Sequence, residues 1–170
     1  MNKLFAMFAA YNAWANAILY AAASELSLKQ YNRDVGAFFK SMNGTLNHIL
    51  VADRIWMRRF TGEGEHPPSL DVVLYPELGE LTIARKAEDR RIVRYISRLE
   101  PSDLLGSFTY LPITTPDPVT QRLSPALSHF FNHQTHHRGQ AHTILSILGH
   151  EPPSLDLIYF QRTAEGREYK

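Results

Sequence analysis

The sequence predicts an all-α protein: a four-helix bundle with two long connections. Three observations carry this. The ten prolines fall at 67, 68, 76, 101, 112, 116, 118, 125, 152 and 153, and proline interrupts helix interiors, so the long stretches between them are where helices can run. Four of those stretches repeat apolar residues at helical spacing. Finally, 170 residues with 44% hydrophobic and 21% charged side chains suffice to bury one core without staples.

The first stretch, residues 3–24, puts Leu4, Phe8, Tyr11, Ala15, Leu19 and Ala22 on one face. The second runs from about Val35 to Phe60, with Phe38, Met42, Thr45, Ile49, Ala52 and Trp56 on its stripe and Gly62 and Gly64 to end it. The third, about 80–99, aligns Leu81, Ala84, Ile92, Tyr95 and Leu99. Its basic cluster (Arg85, Lys86, Arg90, Arg91, Arg94, Arg98) is interleaved with Glu88 and Asp89, the pattern of a solvated helix face. The fourth has the clearest punctuation: Ser124 as N-cap, Pro125 at the first helical position and Gly149 at the end. Segments 61–79 and 100–123 are rich in Gly, Pro, Ser and Thr; the second contains SFTYLPITT, a candidate strand or short hairpin before the last long helix. Residues 154–163 suit one short closing helix. With no repeat and no linker, residues 1–170 are expected to form a single domain, and two extended connections among four helices fit a bundle.

Composition narrows function. The formal net charge is +1, which gives no electrostatic reason to expect a nucleic acid or a membrane surface as partner. No apolar run approaches the roughly 18 residues of a membrane span. The opening MNKLFAMFAAYNAWAN reads as a helix rather than a signal peptide, so the cytoplasm is the expected place. The chain has no cysteine, which removes disulfides, thiolate ligands and cysteine nucleophiles together.

Histidines carry the chemistry. Five of the eight (His129, His133, His136, His137 and His142) lie on the fourth helix. Taking Ala126, Phe130, Ala141, Ile144 and Leu148 as its buried stripe, His133 and His137 fall at the centre, one turn apart. His129 lies toward one edge, His136 on the boundary, and His142 on the opposite side toward water. Two imidazoles at i and i+4 can bind one metal ion from a single face. A buried pair hydrogen-bonded to a carbonyl or a glutamine is the alternative. His48, in LNHILVADRIW on the second helix, sits on an inward stripe with Thr45 and Ala52 and is a candidate third ligand. Three histidines leave coordination positions open, as catalytic sites do. Glu88, inward on the third helix, is a candidate helper, with an ordinary helix ion pair as its other role.

Familiar sites are excluded by what is missing. HQTHH (133–137) has the outer spacing of the zinc-protease helix but carries Gln134 where the catalytic glutamate belongs. A di-iron bundle needs helical Glu-x-x-His pairs, and Glu63–His66 lies in a Gly/Pro loop. There is no P-loop, GxGxxG or GxSxG.

The block HFFNHQTHHRGQ (129–140), preceded by NHILVADRIW (47–56), resembles the DinB/YfiT-like family of four-helix-bundle metalloproteins. YNAWAN near the start and LGHEPPSLDLIYF near the end extend the match over essentially the whole chain. The resemblance implies up-down-down-up topology, a frequent homodimer and a divalent metal on three histidines. By motif, His48 matches the ligand of the second helix, and His133 and His137 match the HxxxH pair. His136 replaces a variable residue, and Arg138, Gly139 and Gln140 complete the block. Zinc or nickel suits three imidazoles, with iron and manganese as further candidates. Related members act as thiol-dependent S-transferases or isomerases using low-molecular-weight thiols, and others look like metal-dependent hydrolases. A binding protein without turnover, or a dimeric module with a purely structural site, is the competing expectation.

Overall fold

The computed structural model describes residues 2–112 and 115–170. Its long helices are α1 (Asn2–Ala23), α3 (Met42–Thr61), α4 (Leu78–Arg98) and α5 (Leu123–Ile147). Single-turn helices α2 (Leu28–Tyr31) and α6 (Leu157–Phe160) and the antiparallel pair β1 (Ser107–Tyr110) and β2 (Val119–Arg122) complete the frame.

Side-chain pairs set the directions. Asn2 donates to the Leu99 carbonyl and Asn16 to Asp89, so α1 and α4 run antiparallel. His48 meets His137 while Trp56 meets His129, so α3 and α5 are antiparallel as well. Asp53 with Arg85 and Thr61 with Arg91 make α3 and α4 parallel, and Phe5 with Phe131 and Asn12 with Arg138 make α1 and α5 parallel. The bundle is up-down-down-up. Parallel neighbours force a long return: α3 has 20 residues, about 30 Å of helix, and residues 62–77 travel back along it. Glu65 meets Arg54, the Leu70 carbonyl meets His48, and Tyr75 meets Asn47. Topology thus lays a loop across the histidine of α3.

The interior is layered. One apolar lobe gathers Leu19, Leu46, Leu50, Leu81, Ile144 and Leu145; the other gathers Phe5, Met57, Ile92, Ile96, Leu127 and Phe130. On every long helix a polar stretch separates them: Asn12 and Asn16 on α1, Asp53 on α3, Arg85 and Asp89 on α4, Gln134 and Arg138 on α5, all buried. Arg85 binds Asp53 at 2.5 Å and Asp89 at 3.0 Å. Gln134 donates to Asp53 at 2.7 Å, Asn16 to Asp89 at 3.0 Å, and Arg138 to Asn12. Burial pushes the Asp53 carboxyl up to about 6 against the opposing pull of Arg85 and Gln134, and raises Asp89 as well. This layer corrects part of the expectation of a solvated cluster on α4. Lys86, Arg90, Arg94 and Arg98 are exposed as expected, but Glu88 and Asp89 are buried and Arg85 is 1% exposed, because it shares the helical phase of Leu81 and Ile92.

Other boundaries also differ from the sequence expectation. The second long helix starts at Met42, since Gly36 and Lys40 adopt positive φ (76° and 66°) and Ser41 caps, its hydroxyl accepting from Gly44 N. Phe38 is therefore not on the stripe; it is 85% exposed. On α1 the buried face passes through Phe5 and Ala9, leaving Leu4 exposed. The last long helix begins at Leu123, ahead of the expected Ser124 cap, so Pro125 is its third residue rather than its first, still within the turn whose N–H groups need no partner in the helix. It ends as expected: Gly149 has φ 84°, and the His150 N–H returns to the Leu145 carbonyl. The expected hairpin forms between β1 and β2, although Ile113 and Thr114 of that segment lie outside the described residues. The closing helix is α6, with Phe160 packed on Tyr11 and Trp14. Among the described residues α1 is long and apolar enough to cross a membrane, which the search for an apolar run did not anticipate; half of the qualifying window is buried in the bundle.

Candidate metal centre

Two helices and a loop build the site. On α3, His48 follows the capped first turn. Gly44 is needed there because any Cβ would lie 2.1 Å from the Phe39 carbonyl. That close approach seats Phe39 on the site: its ring stacks on His48 with centroids 3.7 Å apart and turns its edge to His137 at 5.6 Å. From α5, His133 and His137 project one turn apart. Among the described residues, His48, His133 and His137 offer ligand atoms that all lie within 4.8 Å of one another.

The outer nitrogens are already engaged. His48 Nδ1 lies 2.7 Å from the Leu70 carbonyl, an acceptor only, so that nitrogen carries the proton and Nε2 keeps its lone pair. His137 Nδ1 lies 2.8 Å from Gln140 Oε1; with the glutamine so assigned, it too is the protonated nitrogen. Gln140 is in turn fixed by His136, 3.1 Å from its amide. The two remaining Nε2 atoms face each other at 3.2 Å. Two lone pairs at that distance make no hydrogen bond; a shared cation resolves them, and partners of this kind on the outer nitrogen are what metal-bound histidines carry. The donor set fits a divalent ion.

Electrostatics agrees. Burial, and then the charge of neighbouring imidazoles, lowers His133 to about 3. Burial lowers His48 to about 4, with the Leu70 carbonyl opposing, and lowers His137 as well. All three are neutral imidazoles at neutral pH, the form that binds metal.

A cleft of about 260 Å³ opens beside His48 and His133. Trp56 and Tyr110 line it with their rings in contact, centroids 5.5 Å apart, and Arg59 lies over both, 4.6 and 4.4 Å from their centroids. His129 closes one side, 5.1 Å from Trp56; burial and the charge of Arg59 lower its pKa.

The chain matches the model of the DinB family over residues 1–168. It belongs to the DinB family. It is also 27% identical over 152 residues to a curated relative, "Protein DinB" of Bacillus subtilis (strain 168), covering 86% of this chain and 87% of that one.

Within this DinB-family bundle the three histidines singled out by the sequence come together, with differences. His133, expected at the centre of the stripe, is half-buried at its edge, because Gln134 and Arg138 occupy the centre. His142 stands apart from the group and is half-buried rather than facing water. His129 lines the cleft and His136 braces Gln140. Glu88 is buried but turned to Arg91 of its own helix at 3.0 Å and to Arg54 of α3 at 4.0 Å, so it makes ion pairs rather than facing the histidines. Sequence inspection passed over Phe39, Arg59 and Leu70; only the pairing of Ser41 with Gly44, the mark of a helix start, signalled that Phe39 lies outside a helix.

Proposed function

We propose that the protein is a metal-dependent enzyme in which His48, His133 and His137 hold one divalent ion and leave a coordination position for substrate. The observation that carries this is the meeting of His48 Nε2 and His137 Nε2 at 3.2 Å with both outer nitrogens already bonded. Zinc and nickel suit three imidazoles and a free position best, ahead of iron and manganese. Bound there, such an ion would supply Lewis-acid activation of a water or a thiol. A thiol would come from outside, as a low-molecular-weight cosubstrate, because the chain has no cysteine. The reaction classes that follow are thiol S-transfer and hydrolysis.

The chain's own residues have defined parts. The Leu70 carbonyl and Gln140 hold the tautomers that aim Nε2 inward. Phe39 covers one side of the site, and the cleft lined by Trp56 and Tyr110 is the side left for a small molecule. A cavity beside a metal favours turnover over a filled structural site. A cytoplasmic homodimer is the form we assign to the working protein, following the family resemblance. The test is elemental analysis of protein purified without an affinity tag, followed by assays with glutathione-type thiols and electrophiles and with ester and amide substrates. The expected result is up to one divalent ion per chain and turnover that stops on chelation. Metal without turnover would indicate a binding protein, and failure to take up any divalent ion would remove the proposal.

A further inference from the structure

Arg59 stands out among the cations of the bundle. Arg54 pairs with Glu65, Arg85 with Asp53 and Asp89, and Arg91 with Glu88. Arg138 bonds Asn12 and Thr135. Arg59 is half-buried, yet among the described residues it meets no carboxylate and no hydrogen-bond acceptor; only the faces of Trp56 and Tyr110 hold it. Ring faces fix the plane of a guanidinium and leave its N–H edge free. Arg59 lines the same cleft as His48 and His133. A cation taken partly out of water with its donors unspent is a costly arrangement unless a ligand completes it.

We infer that Arg59, held over the contacting rings of Trp56 and Tyr110, is the recognition site for an oxyanion group (carboxylate or phosphate) on the substrate of this cleft. The assignment rests on the cleft being the substrate side of the histidine site. Spacing then says what kind of molecule fits. His48 and Arg59 are eleven residues apart on α3, an axial separation of about 16 Å, shortened because helical side chains lean toward the N-terminus. One group cannot touch both ends. The substrate carries its anion at one end and its reacting group at the other. The cleft, at about 260 Å³, falls just under the roughly 300–1,000 Å³ of drug-sized sites, so the molecule is small. The fork of arginine binds either oxyanion in bidentate fashion.

Trp56 reports directly on this site, and the chain has only one other tryptophan, Trp14, packed on Tyr11 and Phe160 away from the cleft. In a Trp14→Phe background, fluorescence is titrated with succinate, inorganic phosphate and the neutral analogue succinamide, with metal-free and zinc-loaded protein, and zinc content is measured on the same samples. Succinate or phosphate should give a saturable change at least tenfold tighter than succinamide; whichever is tighter identifies the anion. Arg59→Gln should weaken it tenfold or more with an unchanged circular dichroism spectrum, and Arg59→Lys should fall between. Equal binding of succinamide, no saturable response to either anion, or an Arg59→Gln variant that binds like the parent would overturn the assignment. Arg59-dependent binding in protein that takes up no zinc would uphold the anion site and reject the metal instead.

Discussion

Two polar regions adjoin inside this bundle, His133 and His137 of one standing next to Gln134 and Arg138 of the other along α5, and they are built on opposite rules. The middle layer of Asn12, Asn16, Asp53, Arg85, Asp89, Gln134 and Arg138 draws on all four long helices and sets two carboxylates against two guanidiniums. Its members are one another's partners. The histidine site draws on two helices and a crossing loop, and its bonded atoms point outward: the Nδ1 atoms are bonded while the inward nitrogens face each other. The charges of the first region are matched by one another, although Asn16 Oδ1, Arg85 Nε, Gln134 Oε1 and Arg138 Nε have no hydrogen-bond partner among the described residues. The second turns two imidazole lone pairs on each other. Neither buried polar groups nor scattered unbonded atoms among them therefore mark a site; what distinguishes the histidines is acceptors converging on one point with no donor or cation of the chain between them.

The largest effect should come from breaking the charged layer. Arg85→Ala leaves Asp53 and Asp89 buried without their cation, and removing one member of a buried pair costs about 3–5 kcal/mol. Chemical denaturation should show a loss of that size. A loss under about 1 kcal/mol would mean that the layer is not the bundle's internal tie.

Acid should act on the other region. Unfolded histidines titrate near ~6.5, whereas folded His48 and His133 are held down to about 4 and about 3. Between those values the unfolded chain takes up protons that the folded one refuses. The metal-free protein is thus expected to keep this contribution above about pH 6.5 and to lose it progressively toward pH 4. The same depression moves metal release below the pH 6 to 5 range that ordinary imidazoles would give. Titration of the individual imidazoles by NMR, and zinc retention across pH 4–8, check both, because the raised Asp53 and Asp89 carboxyls pull overall stability the other way in that window. His48 and His133 rings that take up protons near pH ~6.5 in the folded chain would contradict the assignment of neutral imidazoles.

A smaller effect sharpens the contrast. Gln140 touches His137 rather than the proposed ion, so Gln140→Ala should weaken zinc binding by about 10–100-fold, as changes at such partners do. It should leave denaturation nearly unchanged, since Gln140 is only half-buried. Zinc affinity equal to the parent's would mean that the His137 tautomer is fixed by something else.

Much of this was legible in the sequence. Proline spacing and apolar periodicity located the four long helices, and Gly149 marked a helix end to the residue. His48, His133 and His137 were picked out by phase and motif, and the fold brings them together. The charged layer was not foreseen, for a physical reason. Arg85, Asp89, Gln134 and Arg138 share the phase of Leu81, Ile92, Leu127 and Leu145, but an isolated charge on a helix is usually solvated, and only partners from three other helices make burial tolerable. Those partners are remote in sequence. Phe39 and Leu70 escaped for a similar reason: each lies in an irregular segment that reaches the histidines through a positive-φ turn or a long crossover, which periodicity does not describe.

The central claim is that three histidines act together on one ion. Zinc titration of the parent, His48→Ala and His142→Ala tests it most directly, because both variants lose one imidazole and only His48 belongs to the cluster. Parent and His142→Ala are expected to bind one zinc per chain with equal affinity, and His48→Ala to bind more than about 100-fold more weakly while remaining folded. If His48→Ala instead binds zinc like the parent, the three-histidine centre is wrong, and His48 is a core residue stacked on Phe39 and bonded to Leu70.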